Sequence, residues 1–190
     1  MADNRDRLVR TGAELIWQAG YSATSPRQVM AGSGVGQGSF YHHFPAKADL
    51  GVAAIGANAA DIEAFAVDTL TGPEPGLTRI RRYLLAGRDA LAGCKIGGLA
   101  YDPAVVADPR LLEPVGAAFR RIVALLADAI GDAQQAGAVR EDLPAADLAG
   151  MVAAVVQGGF VLSRATCDPD VQRRAAAAAY ALLAAAPAGR

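Results

Sequence analysis

Four prolines of this chain stand where a helix would begin, each behind a plausible cap: Ser25-Pro26, Asp108-Pro109, Leu143-Pro144 and Asp168-Pro169. Proline suits a first helical position because the N–H it lacks would have no partner there. No sustained alternation of polar and apolar residues competes, so an all-α chain of about nine helices is expected. At 53% hydrophobic and 19% charged the chain is too apolar to stay disordered, and 190 residues can enclose a real core.

Ahead of Pro45 the pattern predicts three short helices. The first covers residues 6–19, with Leu8, Gly12, Leu15, Ile16 and Ala19 on one face. Gly20 is expected as its left-handed C-cap, with Tyr21 folding back onto Ile16. The second, 26–31, opens on Ser25-Pro-Arg-Gln28, a capping box: the serine hydroxyl takes a backbone N–H three residues on, and the glutamine reaches back. Gly32-Ser-Gly-Val-Gly36 then breaks the chain, and a third helix runs over 37–44 until Pro45 stops it. Three short helices with a tight glycine turn between the last two make the plan of a helix-turn-helix, here residues 25–44.

On a helical wheel Phe40 and Phe44 face inward with Val35, while Gln37, Gly38, Tyr41 and His42 share the opposite side with Ser39 beside them. That outer face carries no carboxylate. Its amide, hydroxyl, phenol and imidazole groups can all donate to the phosphates or base edges of duplex DNA. Lys47 stands in the first turn of the next helix, where the dipole disfavours a cation by about 0.3–1 kcal/mol; the placement makes sense opposite a phosphate. His42 and His43 point about 100° apart on a helix and cannot share a metal ion. The net charge of −1 does not announce nucleic acid, but a local cluster of donors suffices.

The runs Ala13-Glu-Leu-Ile-Trp-Gln-Ala-Gly-Tyr21, Thr24-Ser-Pro-Arg-Gln-Val29, Gly34-Val35 and Ser39-Phe-Tyr-His-His-Phe-Pro-Ala-Lys47, followed by Leu50, resemble the signature of the tetracycline-repressor (TetR) family. The resemblance implies an N-terminal three-helix DNA-binding domain, residues 1–47. It also implies a helical C-terminal domain, 48–190, that dimerises and binds a small molecule. It assigns DNA contact to Ser25, Arg27, Gln37, Gly38, Ser39, Tyr41, His42, His43 and Lys47, with Gln37, Arg27 and His42 as base readers. Ala46 stands where the family often has serine, so the fourth helix lacks a side-chain cap worth about 0.5–2 kcal/mol, with Asp49 compensating through the dipole. The segment Gly93-Cys-Lys-Ile-Gly-Gly-Leu-Ala100 is similar to an element of a regulator subgroup resembling the repressors of multidrug-efflux operons.

Further helices are expected over 47–68, from Leu77 onward, over 109–136 with an interruption at Pro114, and over 144–164 and 169–186, with 93–107 irregular or holding a short helix. Gly150, Ala154 and Gly158 repeat every four residues, a stripe that lets a helix of a second copy approach closely. Val155 and Leu162 beside it, with Tyr180 and Leu183 on the last helix, complete an expected four-helix homodimer interface. An effector pocket is expected among the fourth, fifth, seventh and eighth helices, lined by Phe65, Tyr83, Tyr101, Phe119, Met151 and Gln157. Their scarcity of charge points to a small, largely apolar ligand; plain core packing is the alternative for each.

Residues 1–10 are charged with no apolar run behind them, so no signal peptide is read there. The most apolar stretch, 148–162, is shorter than the ~20 residues a bilayer requires. Cys94 and Cys167 lack CxxC spacing, which suits a reduced, cytoplasmic protein without membrane partners. Neither cofactor nor metal is expected. Gly34-Val-Gly-Gln-Gly38 lacks the preceding strand and the spacing of a nucleotide loop, and there is no Ser-His-Asp set, so an enzyme is not expected. The expected function is that of a repressor released from a palindromic operator by an effector that shifts the fourth helix. The two recognition helices would then no longer match grooves about 34 Å apart. Control by a protein partner is the alternative.

Overall fold

The computed structural model describes residues 3–184. Among them every regular element is helical: α1 (Asn4–Ala19), α2 (Pro26–Ser33), α3 (Gln37–His43), α4 (Lys47–Leu70), α5 (Gly76–Leu85), α6 (Pro103–Ala107), α7 (Pro109–Gln135), α8 (Ala145–Thr166) and α9 (Asp170–Ala184), with a 3-10 turn at Gly97–Tyr101. Residues 185–186 of the expected last helix lie outside the described residues. α7 runs through Pro114 without the expected break. The proline sits in the second turn, where it removes one backbone bond while the long remainder of the helix stays intact.

The chain divides into two compact units, Met1–Ile62 with Cys94–Ala118, and Glu63–Gly93 with Phe119–Arg190. A boundary at residue 47 does not describe this division. The first half of α4 packs on α1, where Gly12 leaves only room for contact: a Cβ there would lie 3.4 Å from Ala54 and from Leu50. Asn58, buried on α4, donates to the Ala13 carbonyl at 2.9 Å. The 94–118 segment belongs to the same unit, with Leu111 against Gly51 of α4.

The core of the first unit is built from Leu8, Val29, Val35, Phe40, Phe44 and Leu50, all buried. α2 continues to Ser33 instead of breaking at Gly32. Gly32 suits a close approach to α1, since a Cβ would meet Thr11 at 2.9 Å, and the Ser33 carbonyl accepts from the Arg7 guanidinium. Gly34, at φ 65 and ψ 23, then supplies the left-handed turn.

In the second unit, the start of α5 lies directly on α7: a Cβ on Gly76 would stand 2.2 Å from the Ala129 carbonyl oxygen. Arg79, buried, donates to the Leu70 carbonyl at 3.0 Å and pairs with Asp132. α8 and α9 pack together through Gly159 and Ser163, whose hydroxyl accepts the Gln172 N–H at 3.0 Å. Helices α4 and α8 are, contrary to the sequence expectation, long and apolar enough to cross a bilayer, with mean hydropathy 1.4 and 1.7. α8 buries Leu148, Val152, Val156 and Phe160 within its own chain.

Candidate nucleic-acid interface

The capping box at the start of α2 forms as its residues dictate. The Ser25 hydroxyl accepts the Gln28 N–H at 3.3 Å, and the Gln28 side chain accepts the Ser25 N–H at 2.8 Å. This fixes the α2 entrance, leaving Ser25 half-buried and Arg27 exposed.

α3 has the two faces that its sequence pattern requires. Phe40, fully buried, and Phe44, 3% exposed, anchor it with ring centroids 6.2 Å apart. Gln37, Gly38, Tyr41 and His42 are exposed, and Ser39 and His43 are half-buried. A Cβ on Gly38 would meet nothing within 4 Å. Two N-terminal residues that the sequence reading passed over support this helix. Asn4 donates to the Ser39 hydroxyl at 3.1 Å, and the Arg5 guanidinium lies 5.6 Å from the Phe44 ring centroid. Neither has a signature in sequence, because both contacts cross from α1 to α3.

Lys47 has a structural partner that the dipole argument missed. Its ammonium donates to the Ser22 carbonyl at 3.3 Å and sits 4.4 Å from the centroid of the Tyr21 ring. The missing serine cap at Ala46 is partly replaced by direct bonding: Asp49 accepts the Ala46 N–H at 3.0 Å, the return half of a capping box. Gly20 does end α1, but with φ 88 and ψ 161, not the left-handed helical cap expected of it. The carboxylate of Asp102 reaches this turn and accepts from the N–H and hydroxyl of Ser22. Burial alone would raise the Asp102 carboxyl; bonds from the Ser22 hydroxyl and N–H, with the Ala104 and Val105 N–H groups, outweigh it and hold the pKa below the ordinary value. Burial is also the main reason the Tyr21 phenol is raised, with Asp108 and Asp102 adding to it.

The expected effector residues do not form one set. Tyr101 is 83% exposed, so its ring is not part of a buried lining. Phe65, Phe119, Met151 and Gln157 are half-buried and Tyr83 is buried, all in the second unit. The Phe65 and Tyr83 rings lie 5.8 Å apart, and the Arg88 guanidinium stands 4.9 Å from each centroid. Arg88 also donates to the Tyr83 and Leu84 carbonyls at the end of α5.

Of the expected dimer residues, Leu183 is 1% exposed within its own chain and cannot serve a second copy; its neighbour Leu182 is 70% exposed. Gly150, Ala154 and Leu162 are exposed, and Val155, Gly158 and Tyr180 half-buried. A Cβ on Gly150 or Gly158 would meet nothing within 4 Å.

Comparison with known proteins agrees with this architecture. Residues 8–54 match the bacterial regulatory proteins of the tetR family, and residues 76–179 match the tetracyclin repressor-like C-terminal domain. The chain is 28% identical over 160 residues to the HTH-type transcriptional repressor DhaR of Mycobacterium sp. (strain GP1), covering 83% of this chain and 80% of that protein. It is 24% identical over 190 residues to the HTH-type transcriptional regulator LmrA of Bacillus subtilis (strain 168), covering 90% and 98%. The crystal structure of reduced E. coli NemR superposes with a TM-score of 0.86 at 22% identity, covering 98% of this chain and 100% of that one, a likeness of fold. With its N-terminal and C-terminal parts both matched, the chain belongs to the tetR family of bacterial regulatory proteins.

Proposed function

We propose that the chain is a cytoplasmic homodimeric repressor that binds a palindromic operator and is released by a small, largely apolar effector. The observation that carries the DNA-binding part is α3: an apolar side closed by Phe40 and Phe44, and an exposed side of Gln37, Gly38, Tyr41 and His42 without a carboxylate. Gln37, Arg27 and His42 read base edges; Ser25, Ser39, Tyr41, His43 and Lys47 hold phosphates. The repressor sense is supported by the similarity to the transcriptional repressor DhaR.

The second copy docks on α8 and α9. Gly150, Ala154 and Gly158 admit a close helix, and the exposed Val161, Leu162 and Leu182 need cover from water. This partner also accounts for the apolar length of α8 without a membrane. The effector is held in the second unit by Phe65, Tyr83, Phe119, Met151 and Gln157. Binding there shifts α4, which begins in one unit and ends in the other.

Selection of duplexes from a random pool on the full chain tests this reading. It is expected to enrich a two-fold symmetric site, footprinted as two half-sites about one helical turn apart, about 34 Å. Affinity is expected to fall steeply with salt. A chain that shows no sequence preference at moderate salt would defeat the proposal.

A further inference from the structure

Ser22, in the turn between α1 and α2, is bonded through its N–H, its hydroxyl and its carbonyl. The N–H donates to Asp102 Oδ2 at 2.7 Å and the hydroxyl to Asp102 Oδ1, while the carbonyl accepts from Lys47 Nζ at 3.3 Å. Asp102 is itself fixed, for it caps α6 by accepting the Ala104 N–H at 3.0 Å and is only 9% exposed. The turn is shaped to receive it. Gly20, at φ 88, adopts a backbone conformation that L side chains rarely take, and a Cβ there would lie 3.3 Å from Asp102 Oδ2.

An ammonium has three N–H groups, and the bond to Ser22 uses one. Two therefore remain on a half-exposed side chain braced by the Tyr21 ring. We propose that Asp102 is a positioning residue for DNA: by clamping Ser22 it aims the Ser22 carbonyl, which in turn holds Lys47 ready for a phosphate. This rests on the DNA-binding reading above. A lysine stem has many rotamers to lose on binding, and ordering it beforehand removes part of that cost from the encounter.

The test uses the full chain and a labelled duplex carrying the site enriched by the wild-type protein, titrated by fluorescence anisotropy over a range of potassium chloride. Lys47→Gln is expected to lower the slope of log affinity against log salt by about 1.8, the signature of two lost phosphate contacts, one from each subunit of the dimer. Asp102→Asn is expected to weaken binding about three- to tenfold when Lys47 is present, and to add nothing in the Lys47→Gln background. Ser22→Ala, which keeps the N–H clamp, is expected to show a smaller drop with the same dependence on Lys47; it carries the test if circular dichroism shows Asp102→Asn unfolded. Equal weakening in both backgrounds would make Asp102 merely structural, and wild-type affinity in the variants would remove its role; either overturns the proposal. Failure of the wild-type chain to enrich any sequence would instead sink the DNA-binding reading, and this inference with it.

Discussion

Replacing Phe40 or Tyr41 with alanine separates the two faces of α3 at adjacent positions. Phe40 is fully buried among Leu8, Val29, Val35, Phe44 and Leu50. Emptying that site removes a ring from a closed core, a change that costs about 3–5 kcal/mol. Tyr41 is 46% exposed and touches the core mainly through its edge-on approach to Phe40, ring centroids 5.0 Å apart. Its truncation should cost about 1 kcal/mol or less in stability. The chain's single tryptophan, Trp17, lies in α1 of the same unit, so its fluorescence reports the unfolding of that unit. With a urea dependence of about 1–3 kcal/mol per molar, Phe40→Ala is expected to lower the Trp17 midpoint by about 1 M or more. Tyr41→Ala should shift the midpoint by about a third or less of the Phe40→Ala shift, and still lose operator affinity in native buffer. A Tyr41→Ala midpoint as low as that of Phe40→Ala, or a Phe40→Ala midpoint equal to wild type, would refute the orientation of α3.

Gly51→Ala should destabilise the same unit by about 1–3 kcal/mol, because its Cβ would stand 2.5 Å from Tyr21 Cε2 and 2.9 Å from Leu111 Cδ2, both on buried side chains; an unchanged Trp17 midpoint would contradict that packing. Asp102, whose pKa is lowered in the folded chain, contributes stability that is present above the unfolded carboxyl value of about 3.9 and is lost as pH falls through its folded value. The Trp17 urea midpoint should therefore fall below about pH 4 more steeply in wild type than in Asp102→Asn; equal slopes would show that the Ser22 clamp stores no such linkage.

Much of the DNA-facing half was legible because its signals are local. The Ser25-Gln28 box, the Phe40–Phe44 spacing and the uncharged donors between them all act within a few residues of each other. Asp102-Pro103 carries the same cap signature as Asp108-Pro109 and could have been read as the start of α6. Its second role could not, since Ser22 stands 80 positions away. The exposure of Tyr101 and the burial of Leu183 were not legible for a related reason: an apolar side chain shows that it prefers cover, but not whether its own chain supplies it. Lys47 shows the limit from the other side, where a cation placed against a helix dipole found a carbonyl and an aromatic ring as partners.

The order of residues alone determined an all-helical chain and the inward and outward faces of α3, because caps, prolines and helical periodicity are short-range constraints that each residue feels from its neighbours in sequence. Tertiary structure alone decided where the chain divides, that the 94–118 segment belongs with the DNA-facing unit, and which apolar side chains stay uncovered. Those outcomes depend on the close fit of distant surfaces, such as Gly51 beneath Tyr21 and Leu111, and on a carboxylate meeting an N–H that no local pattern places beside it.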